Sequence, residues 1–173
     1  MNPMKFGEYD RRKVIEEIEV RHGVKLTRVR TWPKYLQDEN GKSYWIFGGY
    51  EDWHGITQGM MKEEEGKGAN GILVIAKKYK NRIDIFAGPL RPLIENKACL
   101  SRTKKGGYEF NIHVSTNQVI IKEVRNLVLK KLSEAHYTDE EMNLDNIIEI
   151  ISKMSPVESQ KLIRELQQPE EKK

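Results

Sequence analysis

At 173 residues the chain has room for one domain of ordinary size and an appendage, because a self-sufficient core takes about 100–150 residues. Hydrophobic residues make up 38% and charged residues 32%, which predicts a thin core under a heavily charged surface and excludes a wholly disordered chain. The formal charge is +4, and the single cysteine, Cys99, excludes an internal disulfide and a thiolate metal cluster.

The first ten residues are too polar for the apolar region of a signal peptide, and the longest aliphatic run, Ile72 to Ala76, is far shorter than the ~20 residues that span a bilayer. No membrane partner is expected, and the cytoplasm is the expected compartment. Charge is distributed unevenly. Residues 71–131 carry thirteen Lys and Arg against four Asp and Glu, the pattern of a basic face set on a balanced protein.

In chain order, Asp10 is placed to cap a helix running to His22, with Val14, Ile15, Ile18 and Val20 as its apolar stripe and Gly23 as its stop. Residues 24–32 alternate apolar or β-branched with basic side chains and predict a half-buried strand with Arg28 and Arg30 on its open face. A turn at Asp38 to Gly41 leads to a second strand, Ser43 to Phe47, and Gly48 to Gly55 reads as a loop. A short helix is expected over Ile56 to Glu65, then a glycine-rich connector from Gly66 to Asn70.

The clearest strands are Gly71-Ile-Leu-Val-Ile-Ala and Arg82-Ile-Asp-Ile-Phe-Ala, a hairpin around Lys80-Asn81. Pro89 and Pro92 predict a turn or short helix. The basic loop Arg102 to Gly107 precedes a strand at Tyr108 to Val114, Gln118 to Ile121 is apolar but short, and Val124 to Leu132 reads as a helix. Beyond Tyr137, Thr138 with Glu141 and Ser155-Pro156 with Glu158 mark two helix starts. Their apolar positions are Leu144, Ile147, Ile148 and Ile151, then Leu162, Ile163 and Leu166, with Glu170 to Lys173 expected to fray. The sum is an α+β chain: a core domain over residues 1–137 with a mixed central sheet of about five or six strands flanked by helices, and a two-helix appendage over 138–173.

Gly66-Lys-Gly-Ala-Asn-Gly71 matches the dinucleotide string G-x-G-x-x-G, but it precedes a strand where that fold needs it to follow one and open a helix, so it reads as a connector. The spacing of His22, His54, His113 and His136 matches no zinc signature. His54 shares its loop with Glu51 and Asp52, and carboxylates beside an imidazole can hold a divalent ion or move a proton; a loop held in place by Trp53 packing is the plainer reading. Asp84 followed by Glu95-Asn96-Lys97 supplies a second candidate. Two carboxylates on adjacent strands can hold Mg²⁺ at a phosphate, and a lysine two positions on can orient or deprotonate the attacking water, provided residues 93–98 form a strand.

The strand pair at Gly71 and Arg82, with Gly107-Tyr-Glu-Phe-Asn-Ile after it, resembles the late strands of restriction-endonuclease-like proteins of the PD-(D/E)xK type, over roughly residues 10–122. That resemblance implies a Mg²⁺-dependent phosphodiesterase acting on DNA, with Asp84, Glu95 and Lys97 as catalytic residues and Asp84 and Glu95 as metal ligands. Aligned on those strands instead, the family's catalytic strand falls near Ser43 to Asp52, where Trp45-Ile-Phe-Gly-Gly carries no E-x-K. Nucleic-acid contact is expected from Arg28, Arg30, Lys34, Arg102, Lys104 and Lys105, with Trp32, Tyr35 and Trp53 as stacking candidates or as core. The alternative is a non-catalytic interaction protein that forms a homodimer through residues 138–168, since a two-helix unit must dock its apolar stripes somewhere.

Overall fold

The first helix, α1 (Glu8–His22), begins where the Asp10 carboxylate accepts a hydrogen bond from the Gly7 backbone N–H at 2.9 Å, and ends at Gly23 in the left-handed region (φ 64°). The computed structural model describes residues 5–142, 147, 151 and 153–167. The buried stripe of α1 is Asp10, Arg11, Val14 and Ile18. Val20, expected on that stripe, is 81% exposed, because two steps of a helix turn a side chain about 200° away from Ile18.

Ten strands follow: β1 (Thr27–Arg28), β2 (Tyr35–Gln37), β3 (Ser43–Gly49), β4 (Trp53–Ile56), β5 (Ile72–Lys78), β6 (Arg82–Pro89), β7 (Ser101–Arg102), β8 (Tyr108–Val114), β9 (Gln118–Ile121) and β10 (Val128–His136). Their order is β1-β2-β3-β5-β6-β10-β9-β8-β4, with β7 added on β8. Only β3 and β5 run parallel, joined through β4 and α2 (Gln58–Gly66); every other pair is antiparallel. The short helix α3 (Arg91–Glu95) follows β6, with Pro92 in its first turn.

This sheet corrects the expectation of five or six strands flanked by helices. Val124 to Leu132 is not a helix: Leu127 and Leu129 are buried on alternate positions, and a register shift between Lys131 and Ser133 leaves Leu132 out of the ladder. That bulge turns a period of two into an apolar spacing of three. The supposed loop at Gly48 to Gly55 ends in β4, which pairs with β8 from Trp53↔Asn111 to Ile56↔Tyr108. The strand expected over 24–32 shrinks to Thr27–Arg28, because Arg30 turns the chain in the left-handed region (φ 53°) and returns it as β2.

The sheet curls on itself. Phe47 on β3 lies 5.2 Å from Phe110 on β8, although four strands separate those two in the hydrogen-bonded order. The enclosed core takes Trp45, Phe47, Leu73, Ile75, Phe86 and Phe110 from one side of the pleat. The opposite side presents Tyr44, Ile46, Val74, Ala76 and Ile83, all buried, and α1 is tied to that side by Lys78 and by the Ile46 carbonyl. The connector 66–71 links α2 to β5 through left-handed Gly68 and Ala69.

Two compact units are distinguished, Phe6–His136 and the terminal stretches outside it. In the second, the Thr138 hydroxyl accepts from the Glu141 N–H at 3.2 Å while the Glu141 carboxylate accepts from the Thr138 N–H at 2.7 Å. Ser155 and Glu158 make the same reciprocal pair ahead of helix α4 (Pro156–Gln167). Leu144, Ile148 and Glu170 to Lys173, together with the side chains of Leu162 and Leu166, lie outside the described residues. Among the described residues no helix is long and apolar enough to cross a membrane.

Candidate nucleic-acid interface

Asp84, Glu95 and Lys97 are not brought together. Asp84 shares a face of β6 with Phe86, opposite Ile83 and Ile85, and its carboxylate is held by Arg82 Nε at 3.0 Å and Lys131 Nζ at 3.6 Å. Glu95 is exposed at the last position of α3, not on a strand, so no i, i+2 face joins it to Lys97. Lys97 donates to Glu65 at 2.6 Å, and that bond raises its pKa. No hydrogen bond or ion pair links any two of the three. The described residues contain no group of three His, Cys, Asp or Glu able to hold a metal.

Of the 51–54 candidates only His54 lies on β4, with Glu51 and Asp52 exposed ahead of it. Trp53 is 51% exposed and does not anchor the loop, while His54 is buried between the rings of Phe47 and Phe110 at 5.6 and 5.7 Å. Burial, reinforced by the neighbouring Lys34 and Lys77 charges, pushes the imidazole down to about 4, so it is neutral near pH 7. Asp52 is paired with Lys77 at 2.7 Å, and Glu51 is exposed. Lys34 donates to the Gly55 carbonyl at 3.3 Å and lies over the Phe47 ring, and its pKa is lowered, first by burial and then by Arg11. It helps join the ends of the curled sheet.

Arg11 escaped the sequence reading although its signal was present. It stands three before Val14 and seven before Ile18, on the buried stripe. Its guanidinium donates to the Ile46 carbonyl at 2.8 Å and the Pro33 carbonyl at 3.3 Å, and lies over Phe6. Lys77 was missed as well; its pairing with Asp52 spans 25 residues and leaves no local signature.

Of the expected phosphate contacts, Arg28 is taken up by Glu8, with both carboxylate oxygens at 2.9 Å, and Arg30 sits 3.4 Å from Glu63. Trp32 stacks on buried Tyr35 at 5.8 Å, so both belong to the packed interior edge. The remaining group stands apart. Arg102, Lys104 and Lys105 project from the β7–β8 hairpin, all three exposed, and none makes an ion pair among the described residues.

That hairpin is closely built. Thr103 N–H donates to the Gly107 carbonyl at 3.0 Å and its hydroxyl accepts from the Gly107 N–H at 2.9 Å, with Gly106 turning at φ 84°. Gly107 is required by its neighbour, since a Cβ there would fall 2.6 Å from the Ile56 carbonyl. Arg102 lies over the Tyr108 ring at 4.3 Å and donates to the Tyr108 hydroxyl and the Gly106 carbonyl, which orients its charge without neutralising it. No protein-family model and no curated protein matches the chain.

Proposed function

We propose that the protein binds nucleic acid along the sugar–phosphate backbone, with the β7–β8 hairpin as the contact and Arg102, Lys104 and Lys105 neutralising phosphates. The support is a contrast in charge pairing. Lys77, Lys78, Arg82, Lys97 and Lys131 each lie within 4 Å of a carboxylate, whereas the three hairpin cations, within four residues of one another, have only neutral partners or none. Uncompensated cations on a fixed turn attract a polyanion and release its counterions, at little ordering cost. Trp53 on β4 is exposed one strand away and offers a surface for a base to stack on.

Such contacts favour binding without sequence preference, because phosphates carry no base identity. Hydrolysis through Asp84, Glu95 and Lys97 is not part of the proposal, since the three share no contact. Fluorescence anisotropy with labelled single- and double-stranded oligonucleotides tests it: affinity falls in Lys104→Ala with Lys105→Ala, and unaltered affinity refutes it. Plasmid incubated with Mg²⁺ stays intact. Cutting abolished by Glu95→Ala would restore the nuclease reading.

A second reading, self-association through the C-terminal helices, draws support from α4. Val157 is 78% and Ile163 43% exposed there, large apolar side chains in contact with water.

A further inference from the structure

We infer that the cleft between the C-terminal end of α1 and the start of α3 is a second binding site, one for a small organic phosphate. Its volume is about 580 Å³, within the roughly 300–1,000 Å³ typical of small-molecule sites. The wall divides by chemistry. His22, Lys42, Asn70 and Arg91 supply hydrogen-bond donors, Ile72 and Leu132 supply apolar surface, and no carboxylate lines the cleft.

The cationic groups are oriented but not neutralised. One terminal nitrogen of Arg91 donates to the Asn70 side-chain oxygen and, at 3.3 Å, to the Gly68 carbonyl, both uncharged acceptors. The rest of the guanidinium keeps its donors for a ligand. Lys42 makes no side-chain hydrogen bond or ion pair among the described residues. His22 is steadied by an edge-on contact with Tyr44 at 6.0 Å, and its ring nitrogens carry no partner there. Two permanent cations and an imidazole around one opening match the charge of a phosphate monoester, and the guanidinium suits its paired oxygens. The apolar wall matches an aromatic or aliphatic body attached to that phosphate. A ligand with phosphate alone would leave Ile72 and Leu132 unused, and one with the body alone would leave the cations unpaired.

The test uses the full chain with adenosine monophosphate, adenosine and inorganic phosphate as probes, by isothermal titration calorimetry and amide ¹H–¹⁵N shifts. Adenosine monophosphate is expected to bind, with adenosine and inorganic phosphate each about tenfold weaker or more. Shifts should gather at residues 70–72 and 87–88. Arg91→Gln should weaken adenosine monophosphate by about tenfold. Lys42→Gln, on an exposed side chain that holds nothing in place, should weaken it in the same direction and serves where Arg91→Gln disturbs the connector. The inference is overturned by no binding up to about 10 mM. It is equally overturned by binding indifferent to both substitutions, or by shifts that map elsewhere.

Discussion

Asp84 on β6 and Lys131 on β10 face each other across neighbouring strands at 3.6 Å, with Arg82 closing on the same carboxylate oxygen at 3.0 Å. The Asp84 side chain is only 6% exposed, so its charge is compensated in place and the acid serves the sheet. Removing it takes the carboxylate from Arg82, while Lys131 keeps its pairing with Glu134. Asp84→Ala is expected to cost about 1–3 kcal/mol, read as a lower urea midpoint at constant slope, whereas exposed Glu95→Ala stays within about 0.5 kcal/mol. Equal effects would contradict this division of roles.

Lys78 Nζ and Asp10 Oδ2 meet at 3.0 Å with side-chain exposures of 5% and 8%, binding α1 to β5. Breaking the pair takes a compensating charge away from a group that water does not reach. Lys78→Met or Asp10→Leu should each cost about 3–5 kcal/mol, and the double substitution Lys78→Met with Asp10→Leu should recover much of that loss. Chemical denaturation of the three variants closes the cycle.

His54 makes a pH prediction whose sign follows from its burial. Its folded pKa of about 4 lies below the unfolded value of 6.5, so the unfolded chain takes up the proton first as pH falls. The stability tied to the neutral ring is complete above pH 6.5 and drains away between pH 6.5 and 4, by about 3 kcal/mol in all. His54→Phe, placed among Phe47 and Phe110, should remove that part of the acid limb. Denaturation midpoints from pH 4 to 7 compare the two proteins, and parallel profiles would contradict the assignment.

The central strands were legible in the sequence, and the extent of the sheet was not. Ile72 to Ala76, Arg82 to Ala87 and Tyr108 to Val114 show unbroken β patterns, and the glycines at 23 and 41 mark stops that φ angles of 64° and 79° explain. β10 was hidden because the bulge at Leu132 breaks its alternation, and β4 because four residues with a glycine among them carry too little pattern. Charge pairing was invisible for another reason. Asp10 and Lys78 stand 68 residues apart, and Lys97 and Glu65 stand 32 apart, so their neutralisation depends on the tertiary fold. The basic excess of residues 71–131 therefore read as one face, although five of its thirteen cations are already spoken for.

Self-association through α4 predicts a dimer by light scattering that becomes a monomer once residues 138–173 are removed. A full-length monomer at about 100 μM would count against it, since that concentration populates any dimer of low-micromolar affinity.

The salt dependence of nucleic-acid binding tests the hairpin most directly. Three neutralised phosphates on duplex DNA predict a slope of log affinity against log salt near −2.7, and Lys104→Ala with Lys105→Ala should bring it to about −0.9. Loss of about 1.8 units of slope with the fold intact is the expected result. A slope that the double substitution leaves unchanged would show that these cations do not meet the backbone, and would contradict the proposal.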